Sequence, residues 1–133
     1  MTENEITAII VDVAIDIHRR LGSGLLESAY LAILAHELTK RGLHVEKEVP
    51  IPVEWDGLKI EIGFRADLIV ERLVVVELKS VEAIAPVHKK QLLTYLRLTK
   101  LRVGLLLNFG AVLMKDGIYR VVNGMDESPT KND

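Results

Sequence analysis

The spacing of apolar residues changes near residue 42, and this change limits what the chain can fold into. Before that point apolar side chains recur every three or four residues, which predicts helices over residues 4–21 and 26–41. Gly22 and Gly42 follow them, where the C-termini of helices favour glycine. Beyond residue 44, short apolar runs bounded by turn residues predict strands instead. Two helices therefore precede a sheet.

The rest of the chain contains strands and one further helix. Strands are predicted over residues 45–55, 58–70, 73–79, 103–108, 112–115 and 118–122. Asp56-Gly57 and Asp116-Gly117 are hairpin signals, and Pro86 begins a third helix that reaches to about residue 100. A meander followed by a helical crossover gives a mixed central sheet flanked by helices. We predict a single α/β domain over residues 1–124, followed by a polar tail over residues 125–133.

Composition excludes several classes of site. The chain has 133 residues and no cysteine, so it contains neither a disulfide nor a thiolate metal site. Its net charge of −2 argues against a general nucleic-acid coat, because affinity for phosphates would have to come from a local basic patch. The N-terminus does not resemble a signal peptide, and no apolar run approaches the ~20 residues of a membrane span. We expect a cytoplasmic protein without membrane contact.

Two neighbouring predicted strands carry the residues best suited to chemistry. Side chains alternate faces along a strand, so Glu77 and Lys79 share a face, as do Arg65 and Asp67 on the preceding strand. The tight turn between the strands sets Asp67 roughly level with position 76 or 77. Two carboxylates at this separation repel each other unless a cation lies between them.

Oxygen ligands of this kind suit Mg²⁺ or Mn²⁺. Lys79 beside them can position a water nucleophile or neutralise charge that develops on a phosphate. The structural alternative is that Glu77 and Lys79 only form a solvated strand face, as most Glu-x-Lys pairs do.

Polar residues on two predicted helices favour the functional interpretation. Glu27 begins a stripe that continues with Tyr30 and further apolar residues, so we expect it to face the core, where an unpaired carboxylate is costly. Stabilisation of the first helical turn is the alternative. Gln91 and Tyr95 lie on one stripe of the third helix, where Gln91 can hold a phosphate or a ligand. A buried Gln–Tyr hydrogen bond without further function explains that stripe equally well.

These residues lie in segments that resemble the small GxxExxY proteins of the PD-(D/E)XK nuclease superfamily. The signature is Gly24-Leu25-Leu26-Glu27-Ser28-Ala29-Tyr30. The other matching segments are residues 18–30, 63–68, 76–79, 88–96 and 104–110. Their order and spacing together are specific. The sequence departs from the family pattern at Ser23, where proline is usual, and at Lys89-Lys90, which replaces a more acidic or neutral pair.

The resemblance implies a restriction-endonuclease-like core with a defined site. Asp67, Glu77 and the Leu78 carbonyl would hold the metal, and Lys79 would be the catalytic lysine. Glu27 would match the helix acid of RecB-like members, and Gln91 with Tyr95 looks like their Gln-x-x-x-Tyr motif. The candidates for substrate binding are Gln91, Tyr95, Arg65, Lys89 and Lys90.

Two functions of different classes follow from these residues. The first is a Mg²⁺- or Mn²⁺-dependent nuclease that hydrolyses phosphodiester bonds in DNA, which is favoured over RNA. The alternative is a nuclease-fold module without turnover that binds nucleic acid or serves as a regulatory subunit; small size and net acidity favour it. A homodimer is compatible with either function, since a domain this small would otherwise contact few phosphates.

Overall fold

Three helices and seven strands make up the part of the chain that the computed structural model describes, residues 1–124. The helices are α1 (Glu3–Leu21), α2 (Glu27–Lys40) and α3 (Pro86–Thr99). The strands are β1 (Val45–Pro50), β2 (Val53–Trp55), β3 (Leu58–Ile60), β4 (Arg65–Val70), β5 (Val74–Lys79), β6 (Val103–Asn108) and β7 (Ile118–Val122). A 3₁₀ helix, Met114–Gly117, precedes β7. The predicted polar tail, residues 125–133, lies outside the described residues.

The first helix has clear local signals at both ends. Thr2 caps it, because its hydroxyl accepts a hydrogen bond from the Glu5 N–H at 3.2 Å and Glu5 Oε1 accepts one from the Thr2 N–H at 2.8 Å. This reciprocal pair satisfies two N–H groups that a helix start leaves unpaired. Arg19 and Arg20 occupy the last turn, where cations interact favourably with the helix dipole. None of the helices within residues 1–124 is long and apolar enough to cross a bilayer.

Five strands form the central sheet in the order β1-β4-β5-β6-β7. Only β5 and β6 run parallel within it, and α3 connects them, as a parallel pair requires a crossover. The neighbouring pairs β1–β4, β4–β5 and β6–β7 are antiparallel. The predicted α/β architecture, a mixed central sheet flanked by helices, is therefore confirmed.

Each face of the sheet has its own apolar core. α1 and α2 cover one face, where Tyr30 and Val76 are buried. α3 covers the other, where Leu92 packs with Val75. Because Val75 and Glu77 have the same parity on β5, the Glu77 side chain lies on the α3 face. The alternation of side chains along β5 thus places Glu77 on the side of the sheet that α3 covers.

The predicted long strands on either side of Asp56-Gly57 are each broken. Residues 45–55 divide into β1 and β2 at Pro50-Ile51-Pro52, because proline has no N–H to contribute to a ladder. Residues 58–70 divide into β3 and β4, with residues 61–64 outside regular structure. The hairpin at Asp56-Gly57 does form, but β2 and β3 make a separate two-stranded sheet.

The predicted hairpin over residues 112–122 is also wrong. Residues 114–117 form the 3₁₀ helix, and β7 pairs with β6 instead of with a preceding strand. Close packing explains this outcome, since a Cβ at Gly117 would collide with the Asn108 carbonyl oxygen. Asp116-Gly117, which signals a hairpin turn, therefore lets the backbone pack closely against the end of β6 instead.

Candidate active site

The β4–β5 ladder stops next to the two predicted metal ligands. Its last backbone pair is Leu68–Val76, so the following position sets Asp67 opposite Glu77. Glu77 Oε2 accepts a hydrogen bond from the Asp67 N–H at 2.8 Å, and Asp67 Oδ2 accepts one from the Leu78 N–H at 2.8 Å. Each carboxylate is thus bonded to the main chain of the opposite strand. The pairing that strand parity predicted brings these two side chains together.

Burial and mutual repulsion alter the protonation of this pair. Glu77 is only 6% exposed, and burial, followed by the nearby charge of Asp67, raises the pKa of its carboxyl to about 8. Burial also raises the pKa of Asp67, and the charge of Glu27 adds to the rise at both groups. Without a cation the Glu77 carboxyl therefore holds a proton at neutral pH.

Lys79 lies close enough to act on both carboxyl groups. Its positive charge lowers the pKa of Asp67 and of Glu77, opposing the effect of burial. Its main chain is anchored by a hydrogen bond from the Phe109 N–H to the Lys79 carbonyl at 2.8 Å. The end of β5 thus presents a half-buried cation beside two acidic groups.

Glu27 does not face the core as its helical phase predicts. It is exposed, because it begins α2 one turn before the residues that enter the core, and its Oε2 accepts a hydrogen bond from the Ser80 N–H at 3.2 Å. Its charge still reaches Asp67 and Glu77, as their pKa values show. Within residues 1–124, no three His, Cys, Asp or Glu side chains are grouped closely enough to hold a metal ion.

Tyr95 and Gln91 differ in their surroundings. Tyr95 is buried, and its ring centroid lies 5.5 Å from that of Phe64. Burial, followed by the charge of Glu77, raises the pKa of Tyr95. Gln91 is exposed, one turn nearer the helix start, and its side chain makes no hydrogen bond to the described residues. The alternative interpretation, a buried Gln–Tyr hydrogen bond, is therefore wrong, and of these two residues Tyr95 lies nearer the carboxylates.

The predicted basic residues spread over different parts of the surface. Arg65 Nη1 lies 3.2 Å from Glu48 Oε1 on β1, and both side chains are exposed. Lys89 Nζ lies 4.4 Å from the centre of the Tyr119 ring on β7, two strands away from β5. Lys90 is exposed on α3. The structure therefore brings Arg65 nearer the acidic pair along β4, while Lys89 contacts the opposite edge of the sheet.

Asn108 is a buried residue of this region that the sequence patterns did not single out. Its Oδ1 accepts hydrogen bonds from the N–H groups of Val81 and Gly110, each at 3.0 Å, and its Nδ2 donates to the Val81 carbonyl at 2.9 Å. Asn108 is also the register partner of Lys79. This side chain therefore fixes the segment that leaves β5 just after Lys79. A polar residue ending an otherwise apolar strand was the available signal.

The loop before α2 is held by the tyrosine of the Gly24–Tyr30 signature. The Tyr30 hydroxyl donates to the Gly22 carbonyl at 2.5 Å and accepts from the Leu25 N–H at 3.1 Å, while its ring stacks on Phe109 with centroids 4.3 Å apart. The Leu25 carbonyl in turn accepts a hydrogen bond from Ser80 Oγ at 3.0 Å. Tyr30 thus connects the start of α2 to the end of β5.

Comparison with known proteins agrees with this geometry. A family model described as the PD-(D/E)XK nuclease superfamily matches residues 4–121, which is most of the chain. The matched range runs from α1 into β7 and includes every candidate site residue. No curated protein and no solved structure gives a significant match.

Proposed function

The chain belongs to the PD-(D/E)XK nuclease superfamily, and we propose that it is a divalent-metal-dependent nuclease that hydrolyses phosphodiester bonds in DNA. The observation that carries the proposal is the Asp67–Glu77 pair, two carboxyl groups held together by hydrogen bonds at the end of β5 with Lys79 beside them. Burying two like charges is unfavourable unless a proton or a cation offsets them. Burial and mutual repulsion oppose ionisation of both carboxyl groups, and a divalent cation would stabilise their ionised form, which supports metal binding. Residues 1–124 are the proposed functional domain.

The proposed metal ligands are Asp67, Glu77 and the carbonyl of Leu78. In an extended strand the N–H and C=O of one residue point to the same side, and the Leu78 N–H already points to Asp67. Mg²⁺ and Mn²⁺ accept oxygen ligands, and Mg²⁺ keeps several waters, so a site with two carboxylates fits either ion. When bound, the ion would supply Lewis-acid stabilisation of the phosphate charge. Glu27 would supplement the site once released from Ser80.

The remaining roles are assigned to residues of the same face. Lys79 is proposed to orient the attacking water and to neutralise charge on the scissile phosphate. Tyr95, whose ring packs against Phe64 next to Arg65, is proposed to position the substrate with the Arg65 guanidinium. The Arg65–Glu48 ion pair is exposed and therefore weak, so a phosphate can replace Glu48.

The exposed half of α3 is the proposed route of the nucleic-acid backbone. Gln91, Lys89 and Lys90 are proposed to contact phosphates there. A basic patch is needed because the whole chain carries a net charge of −2. The choice of DNA over RNA, and a place among the GxxExxY proteins, rest on the sequence resemblance. The links of Glu27 to Ser80 and of Tyr30 to Gly22 give both signature positions a physical role.

Cleavage assays test the proposal directly. Labelled single-stranded, duplex and branched DNA, together with RNA, are incubated with Mg²⁺ or Mn²⁺ and with EDTA. We expect metal-dependent cleavage that falls by at least ~100-fold in Glu77→Gln. Asp116→Asn, an exposed acid outside the site, is the matched control and should cleave normally. Wild-type activity in Glu77→Gln would reject the assignment.

One observation favours the second candidate, a nuclease-fold module without turnover. Glu27 is hydrogen-bonded to Ser80, so in residues 1–124 only two acidic side chains converge. Calorimetric titration with Mn²⁺ separates the two functions when it is run on the same protein used for cleavage. Metal binding that depends on Asp67 and Glu77, combined with no cleavage of any substrate, would favour the module.

A further inference from the structure

The β2–β3 hairpin has an apolar face whose tip is largely exposed within residues 1–124. Its register pairs Val53 with Ile60 and Trp55 with Leu58, so these four side chains lie on one face. Trp55 is 74% exposed and Leu58 is 59% exposed. The opposite face carries the charged pair Glu54–Lys59. The hairpin is therefore amphipathic, with its apolar side towards solvent.

An arrangement of this kind is unfavourable in an isolated chain. A two-stranded hairpin is at best marginally stable alone, and it needs packing of its apolar face to be well ordered. This hairpin is outside the five-stranded sheet, so that sheet's ladder does not support it. Ile62, just after the hairpin, adds a further exposed apolar side chain. A cover for this face is therefore expected from outside residues 1–124.

Charge identifies the kind of molecule that fits. The hairpin and its flank carry three exposed acids, Glu54, Asp56 and Glu61, against one base, Lys59. Nucleic acid and anionic membranes would be repelled by this excess of negative charge. A surface complementary to the hairpin would be apolar at its centre and basic at its rim.

The chain itself carries such a surface. A groove of about 480 Å³ lies between the Pro50-Ile51-Pro52 segment and the C-terminal end of α3. Its walls include the apolar residues Ile51 and Leu98. Its rim includes the exposed cations Arg97 and Lys100 and one exposed acid, Glu54 of the chain's own hairpin, so two cations face one acid there. Neither cation forms an ion pair with the described residues. An acidic, apolar hairpin and a basic, apolar groove are thus present on one chain.

We propose that the chain forms a homodimer in which the β2–β3 hairpin of each copy docks in the α3 groove of the other. The contact is reciprocal, so it closes as a two-fold dimer rather than extending into a fibre. It buries the Trp55 and Leu58 side chains and sets Arg97 and Lys100 near the hairpin acids. The proposal is independent of the proposed nuclease activity.

Sedimentation velocity and light scattering on the full chain test the association. From about 1 µM to about 300 µM, the mass should rise from the 14.9 kDa of one chain towards twice that value. Trp55 is the only tryptophan, so its fluorescence reports on the hairpin alone and should shift to shorter wavelength as the dimer forms. A monomer at every concentration would overturn the proposal.

Two variants with matched controls locate the interface. Leu58→Ser should weaken the dimer by at least ~30-fold, since central apolar contacts dominate interfaces, whereas Leu113→Ser, a leucine 53% exposed outside the hairpin, should not. Arg97→Glu should weaken it by about tenfold or more, and Lys115→Glu should leave it unchanged. A dimer unaffected by Leu58→Ser and Arg97→Glu would reject this interface. Quenching of Trp55 by short single-stranded DNA, without dimerisation, would assign the face to nucleic acid instead.

Discussion

Asp67 and Glu77 are connected through main-chain groups rather than directly to each other. Glu77 Oε2 accepts from the Asp67 N–H, and Asp67 Oδ2 accepts from the Leu78 N–H, both at 2.8 Å. Each carboxyl group therefore fixes the strand that carries the other. A substitution at one of them alters the position of both, which affects how variants of this site are interpreted.

The stability of the metal-free protein should fall as the pH rises. The folded pKa of Glu77, about 8, lies above its ordinary value of 4.5, so between these values the folded state holds a proton that the unfolded state has lost. The contribution of Glu77 to stability is then fully present below about pH 4.5 and is lost as the pH rises towards 8. Urea unfolding in EDTA should show a loss on the order of a few kcal/mol, which Glu77→Gln removes. Equal slopes in both proteins would contradict the raised pKa.

A divalent cation should reverse this loss. Binding replaces the proton of the Asp67–Glu77 pair, so Mn²⁺ should raise Tm more at about pH 8 than at about pH 6. At 100 times Kd the gain is about 2.7 kcal/mol. Thermal melts with Mn²⁺ should show no gain in Asp67→Asn and the full gain in Asp116→Asn. A Tm that no divalent cation changes would count against a metal site.

Replacing Lys79 should separate metal binding from cleavage. Lys79 acts on the carboxyl groups through its charge and is not a proposed ligand. Lys79→Met should reduce the cleavage rate by ~10²- to 10⁴-fold while calorimetry still detects Mn²⁺ binding. Lys79→Arg, which keeps the charge but changes its geometry, should recover only part of the rate. Unchanged cleavage in Lys79→Met would exclude the proposed role.

Asn108 should act as a positioning residue for the end of β5. Asn108→Ala removes the partner of the N–H and C=O of Val81, a half-buried residue, at a cost of about 1 kcal/mol or more in unfolding free energy. Because Asn108 is the register partner of Lys79, the cleavage rate should fall more than the affinity for DNA. Asn123→Ala, another buried asparagine outside the site, is the control for stability. Equal loss of activity at equal loss of stability in both variants would indicate a structural role alone.

The helices and the Asp67–Glu77 pair could be predicted from the sequence, because helical spacing and strand alternation are properties of neighbouring residues. Strand parity determines the face of Asp67 and Glu77, and the short turn between β4 and β5 determines their register. The prediction that Glu27 faces the core was wrong. A helical stripe indicates which side of the helix faces the sheet, but not how far the sheet extends beneath the first turn. Glu27 begins α2 beyond the covered region.

Long-range contacts decided what the sequence did not reveal. The 3₁₀ helix at residues 114–117 depends on the close approach of Gly117 to Asn108. The Asn108–Val81 bonds join residues 27 positions apart, which no local periodicity reports. The division of the strand at Pro50 and Pro52 was the exception, since proline has no N–H for a ladder and is itself a local signal of an interruption.

The parallel pairing of β5 with β6 has a consequence for the order of events during folding. Lys79 meets Asn108 only after the whole α3 crossover has closed, and such non-local closure is slow. The site is therefore expected to form late, after most apolar surface is buried. A metal that binds there would slow unfolding and leave the folding rate almost unchanged. The cation would then stabilise the folded chain against unfolding, and would not accelerate the folding of an unfolded one.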